Sequence, residues 1–251
     1  MDLHLTGKTV LVTGASSIGL GRAIALGLAR EGARLAISAR RGDLLRERAQ
    51  EIKDVSGLEP AVIEADLYDP ATPARLAAAA RERLGRVDIL INAAGGSRPI
   101  SFDAPADAWE EAMMLNFFRL RELTHALVPG MVEHGWGRII NLTGSSEPHI
   151  INAANSAKAA IHAWSKGLSR QIAKAGVTIN CIQPGRITSE QMLRMHPTDE
   201  QRHEFTREVP MGRFGEPDEL ADLAVFLASP RGSYITGTVI PVDGGLSRFA
   251  F

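Results

Sequence analysis

The sequence predicts an α/β fold, a doubly wound parallel sheet flanked by helices, on three observations. Short β-branched runs alternate with longer Ala/Leu/Arg-rich stretches, from Thr9-Val10-Leu11-Val12 to Thr238-Val239-Ile240-Pro241-Val242, which is the order of βαβ units. The runs Arg34-Leu35-Ala36-Ile37 and Val87-Asp88-Ile89-Leu90-Ile91 are apolar almost throughout, as strands covered on both faces are. Their short length and the glycines that follow separate them from buried helix. No repeat, low-complexity linker or composition break divides the 251 residues, so a single domain over 1–251 is expected.

Composition narrows the partners. With 45% hydrophobic and 23% charged residues and a formal charge of −1, the chain has no basic excess to offer nucleic acid. The lone Cys181 lies in the apolar run Thr178-Ile179-Asn180-Cys181-Ile182. That context argues against disulfides and metal clusters, and for a buried inert thiol in a reduced, cytoplasmic setting. Residues 1–5 show no charged-then-apolar signal pattern, and no apolar run nears the ~20 residues of a membrane span. No membrane partner is expected.

The first strand runs straight into Thr13-Gly14-Ala15-Ser16-Ser17-Ile18-Gly19-Leu20-Gly21, a glycine-rich turn that opens an amphipathic helix. Glycines let backbone amides approach a diphosphate, and the helix N-terminus adds partial positive charge. Gly14, Ser16, Ser17, Ile18, Gly19 and Gly21 are therefore candidate dinucleotide-binding residues, which makes the expected fold Rossmann-like. The second strand ends Ile37-Ser38-Ala39-Arg40-Arg41 with no acid to accept a ribose 2′-hydroxyl. Arg40 and Arg41 suit a 2′-phosphate instead, so the expected cofactor is NADP(H).

These motifs, with several further along the chain, resemble the short-chain dehydrogenase/reductase family over nearly its whole length. Residues 13–21 are similar to its glycine loop, one residue longer between Gly14 and Gly19. Asp66-Leu67 resembles the pair that cradles adenine. Asn92-Ala93-Ala94-Gly95 resembles the Asn-Asn-Ala-Gly stretch that ends the fourth strand, with Ala93 in place of the second Asn. Asn116 matches the helix asparagine, and Asn180 to Gly185 the turn beside the nicotinamide, where Pro184, Gly185 and the backbone of Ile187 would meet the carboxamide. Residues 213–217 and 234–245 resemble the C-terminal signature. The resemblance implies hydride transfer between the nicotinamide and a carbonyl or alcohol carbon of a small-molecule substrate. A Tyr handles the proton, a Lys four residues later lowers its pKa and holds the ribose, a Ser orients the substrate oxygen, and an Asn anchors a water chain. Residues four apart on a helix share a face, which is why Tyr and Lys take that spacing.

Lys158 fits the lysine and Thr143 the cofactor side of the preceding strand end, but the position four before Lys158 is Ala154. Gly144 falls where the serine would be, with Ser145 beside it as the candidate replacement, and the loop to Ala154 is about three residues short. Asn155 is neither acid nor base at useful pH. Tyr68 and Tyr234, the only tyrosines, sit in other motifs. The expected catalytic set is Lys158, Asn116 and Ser145, with Lys158 partly buried and its pKa depressed into working range. Glu147 and His149 read as loop residues and His162 as a packing histidine, while Arg186 is either an anion-binding or a solvent-facing residue. Three functions remain open: a redox enzyme with a non-standard proton donor, reducing a carbonyl or imine or oxidising the alcohol; a non-redox lyase or aldolase using Lys158 as base; and a cofactor binder without turnover. Residues 188–210 read as a substrate lid or a surface helix pair. Apolar surface on 109–134 and 157–174, with the resemblance, implies a homotetramer.

Overall fold

The structure, a computed structural model, describes residues 1–249. Seven strands, β1 (Thr9–Thr13), β2 (Arg34–Ala39), β3 (Ala61–Glu64), β4 (Ile89–Asn92), β5 (Gly137–Leu142), β6 (Val177–Pro184) and β7 (Val239–Val242), form one sheet in the order β3-β2-β1-β4-β5-β6-β7. Every pairing is parallel, with β1 flanked by β2 (Leu11 opposite Ala36) and β4 (Leu11 opposite Leu90). The chain reverses its direction of travel across the sheet between β1 and β4, the crevice where doubly wound folds take ligands.

Among the described residues there are nine α-helices: α1 (Leu20–Arg30), α2 (Gly42–Ser56), α3 (Thr72–Leu84), α4 (Ala106–Met113), α5 (Arg119–Glu133), α6 (Ala153–Ile172), α7 (Glu190–Met195), α8 (Asp199–Thr206) and α9 (Pro217–Ala228). Strand residues alternate between the two faces, as the pleat requires. Val10, Val12, Ile89 and Ile91 pack with Ile24 of α1, Leu45 of α2 and Leu220 of α9. Leu11, Leu90 and Ile139 face the other way, onto Leu76 of α3, Leu123 of α5 and Ile172 of α6. Apolar residues must therefore fill both parities of each strand, which explains the near-continuous apolar runs. β4 starts at Ile89, two residues later than the run beginning at Val87 suggests, because Asp88 is spent on β1: its carboxylate accepts from Thr9 N and Thr9 Oγ1 at 3.0 Å.

Residues 188–210 form the helix pair. Ser189 caps α7 by accepting from Met192 N, and Thr198 with Gln201 makes a capping box on α8. The pair is tied down by Phe205, which stacks on His196 at 4.1 Å between centroids and lies under the Arg186 guanidinium at 3.3 Å. Among the described residues no helix is long and apolar enough to cross a membrane. Cys181 is free and buried, and burial pushes its thiol pKa up, which fits an inert group.

Candidate active site

The C-terminal ends of β1, β2, β4, β5 and β6 bring the predicted residues to one edge of the sheet. Gly14 turns the chain out of β1 at φ 70°, and a Cβ there would come within 2.8 Å of the Ala93 carbonyl. A Cβ on Gly21 would lie 2.5 Å from Gly14 O, so the loop closes on itself only with glycine at both places. The start of α1 at Gly19 has no side-chain cap and no acid in its first turn. Its first amides are left for an outside acceptor, and the hydroxyls of Ser16 and Ser17 have no protein partner among the described residues. These features fit a diphosphate. Thr13 holds the facing turn: its Oγ1 accepts from Ala93 N and Ala94 N, both at 3.1 Å.

Where the resemblance places adenine, Asp66 is exposed and accepts from Tyr68 N at 3.0 Å, while Leu67 is buried. Tyr68 donates to Glu111 and accepts from Arg98, which commits its hydroxyl at this end of the crevice. Arg40 and Arg41 are both exposed; Arg40 lies 5.1 Å over the Tyr68 ring, and Arg41 is not free but paired with Glu190 of α7. The Asn92 side chain turns into the fold, its Nδ2 donating to Thr124 Oγ1 and Asn141 Oδ1.

The expected catalytic residues Lys158, Asn116 and Ser145 lie at the same edge. Lys158 Nζ donates to Thr143 O at 3.2 Å at the end of β5, and burial lowers its pKa from 10.5 to about 8. Asn116 sits in a π-helical turn (Met114–Phe118) between α4 and α5, accepting from Gly96 N through Oδ1 and donating to Ala112 O through Nδ2. A Cβ on Gly95 would lie 2.8 Å from Asn116 Oδ1 and 3.9 Å from Lys158 Cε, so Gly95, Asn116 and Lys158 converge. Ser145 Oγ accepts from Glu147 N, which orders the loop and leaves the hydroxyl proton available. Gly185 packs on Asp243 so closely that a Cβ would lie 2.5 Å from its Cα, and the chain then carries Ile187, itself buried, across to Gly215.

Several residues behave otherwise than the sequence suggested. His162 is not simply packing: its Nε2 lies 2.8 Å from Thr143 Oγ1, the same residue whose carbonyl holds Lys158. Since Thr143 Oγ1 donates to Ile182 O, His162 donates through Nε2–H, and burial lowers its pKa and favours that neutral ring. Glu147 is not a solvated loop charge; it accepts from Arg248 N and Phe249 N and ties the C-terminal segment to the loop. Arg186 pairs with Glu208 at 2.9 Å and borders a pocket of about 330 Å³ with Ile187, Val209 and Met211. A pocket of about 370 Å³ near Asp88 and Trp136 opens at the opposite edge of the sheet and belongs to none of this. Asn152, overlooked in the sequence, holds the crevice together: its side chain caps α6 through Ala154 N, accepts from Arg98 N and donates to Ser97 Oγ.

The order of motifs is reflected in comparisons with known proteins. The family model for short-chain dehydrogenases described as enoyl-(acyl carrier protein) reductase matches residues 14–247. The chain belongs to the short-chain dehydrogenase/reductase family. Among relatives of this dehydrogenase/reductase, the 3-oxoacyl-[acyl-carrier-protein] reductase of Vibrio cholerae is 35% identical over 97% of this chain and 99% of its own. Among solved structures, L-sorbose reductase from Gluconobacter frateurii, complexed with NADPH and L-sorbose, superposes with a TM-score of 0.94 at 31% identity, covering 99% of this chain and 100% of that one. A 7α-hydroxysteroid dehydrogenase complexed with NADH and 7-oxo glycochenodeoxycholic acid gives 0.91 at 31% identity, covering 97% and 96%.

Proposed function

We propose that this protein is an NADP(H)-dependent oxidoreductase that reduces a carbonyl or imine of a small molecule, or oxidises the corresponding alcohol, with Lys158 handling the proton. The observation that carries it is the Lys158 ammonium, buried beside Asn116 and Gly95 with a pKa of about 8, while the residue four before it, Ala154, has no side-chain proton to give. A group of that pKa is charged at neutral pH and still acidic enough to release its proton.

Bound NADP(H) supplies or accepts the hydride. Gly14, Ser16, Ser17, Ile18, Gly19 and Gly21 hold its diphosphate, Arg40 and Arg41 its 2′-phosphate, and Asp66 and Leu67 its adenine. The backbone at Asn92, Ala93, Ala94 and Gly95, with Thr143, lines the ribose side, and Pro184, Gly185 and Ile187 hold the carboxamide. The fold does not choose between cofactors, because one similar structure contains NADPH and another NADH. The choice rests on the end of β2, where arginines stand and no acid does.

At the substrate end, Asn155 stands on α6 three residues before Lys158 and Ser145 follows Gly144. A Cβ on Gly144 would lie 3.2 Å from Asn155 Oδ1 and 3.3 Å from Lys158 Cδ, so the Asn155 amide takes up the space a serine at 144 would need. Asn155 then offers its amide to the substrate oxygen, and Lys158 offers the proton. Asn116 and the pair His162–Thr143 keep Lys158 oriented. Residues 188–210 close over the substrate as a lid.

NADPH absorbance followed against ketones, aldehydes, imines and β-hydroxy carbonyls tests the reading. Oxidation that disappears in Lys158→Ala supports it; absence of oxidation across the panel, with NADPH bound, overturns it.

A further inference from the structure

Arg41 meets its carboxylate from far along the chain. Its Nη1 and Nη2 bond Glu190 Oε1 and Oε2 at 2.7 and 2.8 Å, a two-pronged pair across 149 residues. The same turn of α7 rests on the glycine loop: Glu190 N donates to Ile18 O at 2.9 Å, and a Cβ on Gly19 would lie 3.4 Å from Ser189 Cβ. The first turn of α7 thus touches both the loop that fits a diphosphate and the arginine that fits a 2′-phosphate. Arg40, beside Arg41, has no carboxylate partner among the described residues and stacks over Tyr68.

We infer that Glu190 sets cofactor discrimination, by occupying on Arg41 the fork that a 2′-phosphate would take, so that NADP(H) binding releases the Glu190 end of α7. This deepens the NADP(H) reading and rests on it. A carboxylate and a phosphate present paired oxygens to guanidinium in the same way, and the phosphate carries more charge. Arg41 and Glu190 are 46% and 41% exposed, so water screens the pair and exchange is inexpensive. Each partner shifts the other, Arg41 upward and Glu190 downward, as an intact ion pair does. The neutral 2′-hydroxyl of NAD(H) cannot displace a carboxylate from arginine, so NAD(H) binds with the Arg41–Glu190 pair closed. Glu190 therefore weakens NADP(H) binding without weakening NAD(H), and hands the lid a signal that only the phosphorylated cofactor gives.

Dissociation constants for NADPH and NADH, measured by fluorescence titration without substrate, test this. Glu190→Gln is expected to tighten NADPH by about fivefold and NADH by less than about twofold, the range an exposed ion pair permits. In Arg41→Ala the effect of Glu190→Gln on NADPH should vanish, because the competition has no site. Equal tightening of both cofactors, or weaker NADPH binding in Glu190→Gln, overturns the inference and makes Glu190 a bulk charge or a clasp. The parent reading fails separately: if Arg41→Ala leaves the NADPH/NADH ratio unchanged, Arg41 does not read the 2′-phosphate at all. Hydrogen exchange across 189–195 supplies a second readout, with NADPH expected to speed exchange at Glu190 N and NADH not; the reverse pattern also overturns it.

Discussion

The ammonium of Lys158 gives the proposed reaction a pH dependence of definite sign. Burial favours the neutral amine and brings the pKa from 10.5 to about 8. Below that value the group is protonated and can donate, so carbonyl reduction is full at pH 6–7 and falls as pH rises through about 8. Alcohol oxidation needs the neutral amine and rises over the same interval. Stability moves with the second limb: the folded chain bears the cost of a buried charge below about 8 and loses that cost as pH climbs toward 10.5. Rates measured in both directions from pH 6 to 10 check this, and Lys158→Met should lower them by about 10²–10⁴. Profiles flat between 7 and 9 would remove Lys158 from the proton path. The neighbouring positions resist a return to the family pattern. Ala154 is 1% exposed, so Ala154→Tyr overfills a packed site at a cost of about 1–3 kcal/mol, seen as a lower Tm, and does not raise ketone reduction. At this scale the position of Lys158 was legible because it depends on spacing within one helix. The His162–Thr143 contact and the Asn155 side chain against Gly144 were not, since each joins α6 to the end of β5 and no local pattern encodes the distance between them.

Glycine geometry governs the elements. The turn from β1 into α1 requires φ 70° at Gly14 and passes the Ala93 carbonyl with no room for a methyl. Gly14→Ala therefore strains the backbone by about 1–3 kcal/mol and pushes apart the two turns proposed to bind the nucleotide. The expected result is a lower Tm together with loss of NADPH binding; unaltered affinity in a folded variant would show that the close approach is unimportant. Strands and helices were readable because parity and helical period are properties of short windows. The helix pair at 188–210 was harder, being mostly polar with no clear apolar period, although Thr198 and Gln201 three residues apart are a capping signal that marks the start of α8. What anchors the pair was invisible: His196, Arg186 and Phe214 meet Phe205 only after the chain has folded. Phe205→Ala should free the segment and speed tryptic cleavage at Arg194 and Arg202, with little change in Tm. Cleavage as slow as in the parent protein would mean that α7 and α8 are held by something other than that aromatic contact.

Assembly is the whole-molecule question, and the surface bears on it. Phe102, Met211 and Tyr234 are large side chains 86%, 67% and 101% exposed. The proposed homotetramer would cover these side chains. Light scattering coupled to size exclusion should give four times the chain mass, and Tm should rise with protein concentration because association stabilises only the folded chain. Tyr234→Glu places a charge where the fully exposed ring stands and should shift the assembly toward smaller species if that ring is covered by another copy. A monomeric mass at micromolar concentration, with Tm independent of concentration, would leave the exposed residues without a partner and return the crevice to a single chain.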